Sequence, residues 1–343
     1  GWRIEIKKYP RLTSIGAKRK DSQTGDWDSK TYSKKPHDGF YTQQQIKNII
    51  NYAKSKHITI VPEIEMPGHS AAAIAAYPWL GTVKDSAIEV PARFGKHYDV
   101  IDVTDPKVFK FYQDVLLEMM ELFPSKVIHI GGDEVAFNQW KNSKKVQVYM
   151  TEKGLKSPAD LQIHYTNKVS NFIDSHNRKM MGWNDILGGN VHEWQSEKDM
   201  TSNETLALST IIHFWKGDKK LLKDAIARGY SVVNSEHSFT YLDYNYNTIS
   251  LKKAYSFNPV PEGLTAAERK KVLGLGCQMW GEWIPGTTDL NQQVYPRIAA
   301  YAEIGWTSEE NKNYERFVEA LKSQLVPVWK KEEIGFYNVQ ELK

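Results

Sequence analysis

The sequence predicts an α/β fold built on parallel strands. Short apolar runs alternate along its 343 residues with segments in which apolar residues repeat at helical spacing, and this alternation is typical of consecutive βα units. Six of the short runs end where polar and aromatic residues cluster: at Glu63, Asp133, Trp183, Trp215, the segment after Ser235, and Trp280. Because the functional side chains of a (β/α)8 barrel stand at the ends of its strands, this arrangement favours a TIM barrel.

Capping signals mark the starts of the predicted helices. Thr42 and Gln45 form the pattern of a capping box, and Pro106 and Pro158 each follow a polar residue that suits a helix start. The predicted elements, in chain order, are a helix over 42–54, a strand over 57–64, a helix from 104–106 to Pro124, a strand over 127–130, a helix from Ser157, strands over 179–183 and 209–215, a helix over 218–229, strands over 231–235 and 273–280, and helices near 292–305 and 312–330. Two strands are therefore missing from a barrel of eight. The polar stretches 17–40 and 81–99 are predicted to be surface loops.

Composition and charge exclude several classes of function. The net charge is only +4 and the lysines are scattered, so the chain offers no basic stripe for nucleic acid. No apolar run approaches the roughly 20 residues that a membrane span needs, and the single Cys277 rules out an internal disulfide. The 11 Trp and 18 Tyr residues could line a sugar site, because pyranose faces stack on aromatic rings, although most are expected in the core.

The strongest chemical signal is the segment VIHIGGDEVAFNQW, residues 127–140. A β-branched strand runs into two glycines, which permit a tight turn and leave space for a ligand, and then into the adjacent carboxyls Asp133 and Glu134. Neighbouring carboxyls at such a position tend to split their pKa values, so that one stays charged and the other holds a proton. The alternative is that Asp133 caps a helix and Glu134 is simply solvated.

A second cluster, VPEIEMPGHS at residues 61–70, places Glu63, Glu65 and His69 just past a predicted strand. It could be an ordinary turn with a hydrogen-bonded histidine. It could also contribute to a metal site, because His69, His129, Glu65 and Asp133 are suitable ligand types. The metal interpretation is disfavoured, since the chain contains neither an HxH nor an HExxH spacing.

Five motifs in combination resemble the glycoside hydrolases of family 20. They are, in chain order, PEIEMPGHS, HIGGDE, GWNDIL, YLD and MWGEW, and the opening GWRIEIKKYPRLTSIGA is similar as well. The resemblance extends from Gly1 to about the helix that contains Trp306. It implies a retaining exo-hydrolase that removes a terminal β-linked N-acetylglucosamine or N-acetylgalactosamine from a glycan or chitooligosaccharide, with no metal or organic cofactor.

The resemblance also implies a substrate-assisted mechanism, in which the 2-acetamido oxygen of the substrate attacks the anomeric carbon. Glu134 would protonate the leaving oxygen and later take a proton from water. Asp133 would orient the acetamido group and stabilise its positive charge, and Tyr241 would bond the acetamido carbonyl. The other residues that match the family's pocket are Trp183, Trp215 and Trp280 around the acetamido methyl and the sugar ring, Asp243 and Glu282 at the outer hydroxyls, and His69 beside the acid. Taken singly, each tryptophan would be assigned to the core and each acid to the surface.

The chain departs from the family at three places. Glu65 stands where many relatives have Asp, and Asn184 and Asp185 stand where relatives often carry two acids. The family's first strand, first helix and most of its second strand would precede Gly1, together with an arginine that grips the terminal sugar and whose role is not transferred to Arg3. We therefore expect residues 1–343 to be one catalytic barrel domain, incomplete at its N-terminus and preceded by a small α/β domain.

Several alternatives remain open at the level of sequence. Within the family, the chain could belong to a lacto-N-biosidase or to an enzyme for a sulfated sugar. Outside it, the candidates are a carbohydrate-binding protein that kept the fold but lost catalysis, against which the intact Asp133, Glu134 and Tyr241 argue, and a metal-dependent hydrolase. Relatives act on extracellular or periplasmic glycans, so we expect an extracellular, cell-surface or periplasmic protein, monomeric or homodimeric.

Overall fold

The computed structural model describes residues 1–26, 29–84, 88–188, 191–192 and 204–339. The chain forms two compact units, Gly1–Ile212 and His213–Lys343. Among the described helices, none combines the length and the apolar character required to cross a bilayer.

The first unit contains most of the long helices. Its elements are α1 (Arg11–Ser14), β1 (Gln23–Thr24), β2 (Thr31–Tyr32), α2 (Gln43–Ser55), α3 (Ala71–Ala76), a 3-10 turn (Pro78–Leu80), α4 (Pro106–Leu122), β3 (Val127–His129), α5 (Asn138–Asn142), α6 (Lys144–Glu152), α7 (Pro158–Ser175), β4 (Lys179–Trp183), a 3-10 turn (Asn184–Leu187) and the first half of β5 (Ile211–Phe214).

The second unit begins within β5. Its further elements are α8 (Lys219–Ala227), β6 (Ser231–Asn234), α9 (His237–Thr240), α10 (Leu251–Tyr255), α11 (Ala266–Arg269), β7 (Val272–Leu275), α12 (Thr287–Val294), α13 (Arg297–Trp306), a 3-10 turn (Glu309–Asn311), α14 (Tyr314–Ala320), a π-helical turn (Leu321–Leu325) and α15 (Val326–Lys331).

Parallel strand pairs occur in both units, as the alternation of strands and helices predicts. In the first unit β3 pairs with β4, so that Ile128 lies opposite Met180. In the second unit β6 pairs with β7, with a register shift between Val232 and Val233. The α/β class with parallel strands is therefore confirmed.

The capping signals correctly mark the long helices of the first unit. Thr42 and Gln45 form the expected capping box at the start of α2, and Asp105 caps α4, whose first residue is Pro106. Ser157 opens α7 in a capping box with Asp160, and α7 packs on β4. The apolar stripe of α4 is buried as its spacing predicts: Val108, Tyr112, Val115, Leu116 and Met119.

The predicted strand over 57–64 is wrong. In its place the structure has a single bridge, between Glu63 and His129. His129 N donates to the Pro62 oxygen at 2.9 Å, and Ile64 N donates to the His129 oxygen at 3.0 Å. Because Glu63 lies opposite His129 in parallel, residues 57–60 lie before the start of β3 and have no β3 residue beside them. Ile58, which lies in this stretch, is accordingly 58% exposed.

Four other boundaries differ from the prediction. The strand over 273–280 ends at Leu275, beyond which only Gln278 bridges to Tyr241. The helix near 292–305 is divided at Pro296, which has no backbone N–H to continue the first helix. The helix over 312–330 contains a π-helical turn, and the polar stretch 17–40 includes the short hairpin β1–β2.

Candidate active site

The turn after β3 presents the two adjacent carboxyls. Gly131 and Gly132 have φ values of 65° and 92°, the left-handed region that glycine adopts most readily, and Glu134 has φ 50° despite its side chain. A Cβ on Gly131 would lie 2.0 Å from the Glu65 carboxylate oxygens. The two glycines therefore let the chain turn back directly over the side chain of Glu65.

His69 lies between the two carboxyls. Its Nε2 is 3.6 Å from Asp133 Oδ2 and 3.5 Å from Glu134 Oε2. The structure thus brings together three of the residues that the sequence singles out, and it places the histidine where it contacts both acids at once.

These same three side chains could hold a metal ion, because one ligand atom from each lies within 4.8 Å of the others. The four metal ligands considered from sequence do not form such a group in the part of the chain that the structure describes. Instead, His129 Nδ1 is 2.9 Å from Glu63 Oε1, and Glu65 accepts a hydrogen bond from Gly132 N at 2.8 Å.

The surroundings of His69 shift the pKa values of the two acids in opposite directions. Burial raises the pKa of Asp133, and the negative charges of Asp185 and Glu134 add to this effect against the influence of His69. Burial acts in the same direction on Glu134, but the hydrogen bond and charge of His69 outweigh it and lower the pKa of Glu134. Burial opposes a charge on His69, yet its contacts with both acids raise its pKa well above the ordinary value. In the unliganded protein, the pKa of Asp133 is therefore shifted upward and that of Glu134 downward.

One oxygen of Asp133 has no hydrogen-bond partner. Asp133 Oδ1 is buried, and within the described residues no donor reaches it. A buried carboxylate oxygen without a donor is costly, so such an atom suggests a ligand that supplies an N–H or O–H group. The orphaned oxygen belongs to the residue for which the sequence predicts a substrate contact.

The segment after β4 approaches the same turn. Trp183, the last residue of β4, is buried with its ring centroid 5.0 Å from that of His129. In the following 3-10 turn, Asp185 Oδ1 accepts hydrogen bonds from Glu134 N at 3.2 Å and from His192 Nε2 at 2.7 Å. The sequence singled out Asp185 only as a departure from the family, and it gave no signal for His192.

The predicted aromatic residues of the second unit form one cluster. The ring of Trp215, just after β5, stacks on Tyr241 with a centroid distance of 6.1 Å and an interplanar angle of 9°. Tyr241 also meets the ring of Trp280 at 6.0 Å and 63°. Trp215 and Trp280, which lie far apart in the sequence, thus both contact the ring of Tyr241.

Asp243 lies two residues beyond Tyr241 and resembles Asp133 in its surroundings. Its Oδ1 is buried and accepts no hydrogen bond from the described residues. Burial raises the pKa of Asp243 to about 6, and the charge of Glu282 adds to the rise. The structure therefore places the two predicted hydroxyl-binding acids within electrostatic reach of each other.

Arg297 is the main residue of this region that the sequence analysis missed. It is fully buried at the start of α13, and its guanidinium donates to the carbonyl oxygens of Leu242 at 2.6 Å, Tyr244 at 2.8 Å and Ile249 at 3.1 Å. It also lies 4.1 Å from the ring centroid of Tyr246. Arg297 therefore fixes the loop that bears Asp243. The sequence signal that could have identified Arg297 is a cationic residue within the apolar stripe of a predicted helix.

Comparison with known proteins places these features in a family. Residues 1–309 match the model of the glycosyl hydrolase family 20 catalytic domain. The chain is 33% identical over 336 residues to a beta-hexosaminidase of Porphyromonas gingivalis, which covers 95% of this chain and 40% of that protein. It is 34% identical over 323 residues to a beta-hexosaminidase of Vibrio furnissii, covering 89% and 49%. The chain thus spans less than half the length of these two relatives.

Solved structures give the same result. The beta-N-acetylhexosaminidase of Bacteroides fragilis matches with a TM-score of 0.79 and 28% identity, over 99% of this chain and 64% of that one. The exo beta-N-acetylglucosaminidase of Vibrio harveyi, solved in complex with N-acetylglucosamine, matches with a TM-score of 0.82 and 27% identity, over 98% and 52%.

Proposed function

The chain belongs to glycoside hydrolase family 20, and we propose that it is the catalytic part of an exo-acting, retaining β-N-acetylhexosaminidase. The substrate would be a glycan or chitooligosaccharide that ends in β-linked N-acetylglucosamine or N-acetylgalactosamine. The observation that carries this proposal is the buried, unpartnered Oδ1 of Asp133 beside Glu134 and His69. The acetamido N–H of the substrate would supply the donor that this oxygen lacks.

Asp133 would then fix the acetamido group as the nucleophile. Its carboxylate accepts the amide N–H, which turns the amide oxygen toward the anomeric carbon, and it stabilises the positive charge of the oxazolinium intermediate. An intramolecular nucleophile held in attack geometry can lower the barrier by on the order of 7 kcal/mol or more. No nucleophile from the protein is needed in such a mechanism.

Glu134 would donate a proton to the leaving oxygen and then take one from the attacking water. In the unliganded protein the pKa of Glu134 is lowered and that of Asp133 is raised, the reverse of what these roles require. Bound substrate would change both: a sugar that excludes water from Glu134 disfavours its charged form, whereas a cationic ring beside Asp133 favours the carboxylate there. The proposed roles thus depend on substrate binding to reverse the two pKa shifts.

The remaining pocket residues would hold the sugar. Tyr241 would donate its O–H to the acetamido carbonyl oxygen, and the tryptophans Trp183, Trp215 and Trp280 would pack against the acetamido methyl and the ring face. Asp243 and Glu282 would accept hydrogen bonds from the outer hydroxyls, because carboxylates form strong, charge-assisted bonds with such donors. The unpartnered Oδ1 of Asp243 supports this assignment.

The same family membership supports two coarser proposals. We propose that the parallel strand pairs and their flanking helices belong to a (β/α)8 barrel, which agrees with the TM-score of 0.82 against a family member. We also propose that the protein acts on glycans outside the cytoplasm, at the cell surface, in the periplasm or in the medium.

The test is nitrophenol release by the natural protein that contains this chain. Nitrophenyl β-N-acetylglucosaminide, the corresponding galactosaminide and the β-glucoside should be compared, and only the acetamido sugars should be hydrolysed. Hydrolysis of the β-glucoside at a similar rate would refute substrate assistance. Inhibition by a chelator would favour a metal-dependent hydrolase, release of an intact disaccharide would favour a lacto-N-biosidase, and binding of a thiazoline analogue without hydrolysis would favour a carbohydrate-binding protein.

A further inference from the structure

We infer that Asp185 and His192 form a buried pair that positions Glu134 for proton transfer. The inference rests on the role proposed above for Glu134. Neither residue touches the reacting atoms in this scheme, so both are positioning residues.

The backbone at Glu134 requires such support. Its φ of 50° lies in the left-handed region, which a residue with a side chain adopts only when its surroundings hold it there. The Glu134 N–H donates to Asp185 Oδ1 at 3.2 Å. This bond fixes the peptide plane from which the Glu134 side chain projects, and it therefore controls the direction of the carboxyl.

Asp185 is itself held from two sides. His192 Nε2 donates to the same Oδ1 at 2.7 Å, and both side chains are buried. The backbone of Asp185 belongs to the 3-10 turn Asn184–Leu187, which directly follows β4. Since β4 pairs in register with β3, the strand pairing also sets the separation between Asp185 and the turn that bears Glu134.

Close packing between the two turns leaves little room for adjustment. A Cβ on Gly132 would lie 2.4 Å from Ile186 Cγ2, and a Cβ on Gly182 would lie 3.0 Å from the Gly131 oxygen. The turns approach each other through glycines, so a hydrogen bond between backbone and side chain can span them. In this packing the Asp185–His192 pair limits the movement of the Glu134 backbone.

The test compares leaving groups in variants of the natural protein. The variants are Asp185→Ala, Asp185→Asn, His192→Phe and the benchmark Glu134→Gln. Asp224→Asn, at a half-exposed side chain of α8, is the matched control. For each, kcat and KM are measured on the nitrophenyl glycoside, a good leaving group, and on an N-acetylglucosaminyl disaccharide, a poor one that needs its proton. The Kd of a thiazoline analogue reports whether the pocket is folded.

Asp185→Ala should lower kcat on the disaccharide by roughly tenfold or more, a part of the about 10²–10⁴-fold that general acid catalysis contributes. Its loss on the nitrophenyl glycoside should be smaller, and the thiazoline Kd should change little. Asp185→Asn should recover much of the lost rate, because its amide oxygen can still accept from Glu134 N–H. His192→Phe keeps much of the side-chain volume but removes the donor to Asp185, and it should show the same selective loss of kcat on the disaccharide. This variant also tests the inference if Asp185→Ala fails to fold.

The results distinguish failure of the positioning role from failure of the acid role of Glu134. Equal losses on both substrates in the Asp185 and His192 variants, or no loss, would overturn the positioning role if Glu134→Gln remained selective for the poor leaving group. Loss of that selectivity in Glu134→Gln itself would instead remove the acid role on which the inference depends.

Discussion

Replacing Arg297 with Met tests whether one buried guanidinium holds the loop around Asp243. The substitution keeps the length and much of the volume of the side chain. It leaves four backbone carbonyl oxygens, those of Leu242, Tyr244, Ile249 and Gln293, without the guanidinium as their donor. Each buried carbonyl that loses its partner costs about 1–3 kcal/mol. Water reaching the loosened loop would offset part of this, so we expect the free energy of unfolding to fall by about 3–5 kcal/mol.

Urea unfolding of Arg297→Met, with and without a thiazoline analogue, measures both the loss of stability and its effect on the site. KM for the acetamido substrate should rise, because the loop that bears Asp243 no longer has a fixed position. Arg316→Met is the matched control, since that side chain is 62% exposed and should cost less than about 1 kcal/mol. Arg297→Lys should be intermediate, because one ammonium cannot reach all of the carbonyls. A change below about 1 kcal/mol in Arg297→Met would refute the reasoning.

Three further outcomes are expected. Asp133→Asn should lower kcat on every acetamido substrate by roughly 10²–10³-fold, as loss of a preorganised charge does, and parent-like kcat would contradict substrate assistance. Gly131→Ala should lower the denaturation midpoint, because the new Cβ would meet the Glu65 carboxylate at 2.0 Å and φ is 65°; an unchanged midpoint would contradict the close approach. The pKa of His69 is raised in the folded state, so its ion pairs stabilise the fold at pH values below its ordinary value of 6.5, and this contribution is lost as pH rises through the raised pKa. The difference in unfolding free energy between the parent and His69→Gln should shrink over that rise, and a constant difference would argue against the ion pairs.

Helix starts were predictable because their signals are local. The capping box of Thr42 and Gln45 and the prolines at 106 and 158 act within three residues of each helix start. Strand extent was less predictable, because a strand exists only where a partner lies beside it. The apolar run over 57–64 has the residues of a strand, yet its first part precedes the start of β3.

The candidate site was predictable where sequence motifs identify the functional residues. It was not predictable where a side chain forms its hydrogen bonds with backbone atoms. The motifs located Asp133, Glu134 and His69, and the structure places them together. Arg297 was missed because three of its partners are carbonyl oxygens 48 to 55 residues away, a type of group that any sequence provides. His192 was missed because its partner Asp185 lies in a 3-10 turn, and no sequence motif links such a turn to a histidine further along the chain.

The close approach of Glu65 to Gly131 couples two positions that lie far apart in the sequence. The carboxylate of Glu65 occupies the space that a side chain at 131 would need. A substitution of this glycine therefore carries two separate costs, because the Glu65 side chain must move and because φ at 131 is 65°. Shortening Glu65 to Asp would relieve only the first of these costs, so glycine stays the favoured residue at 131 whichever acid stands at 65.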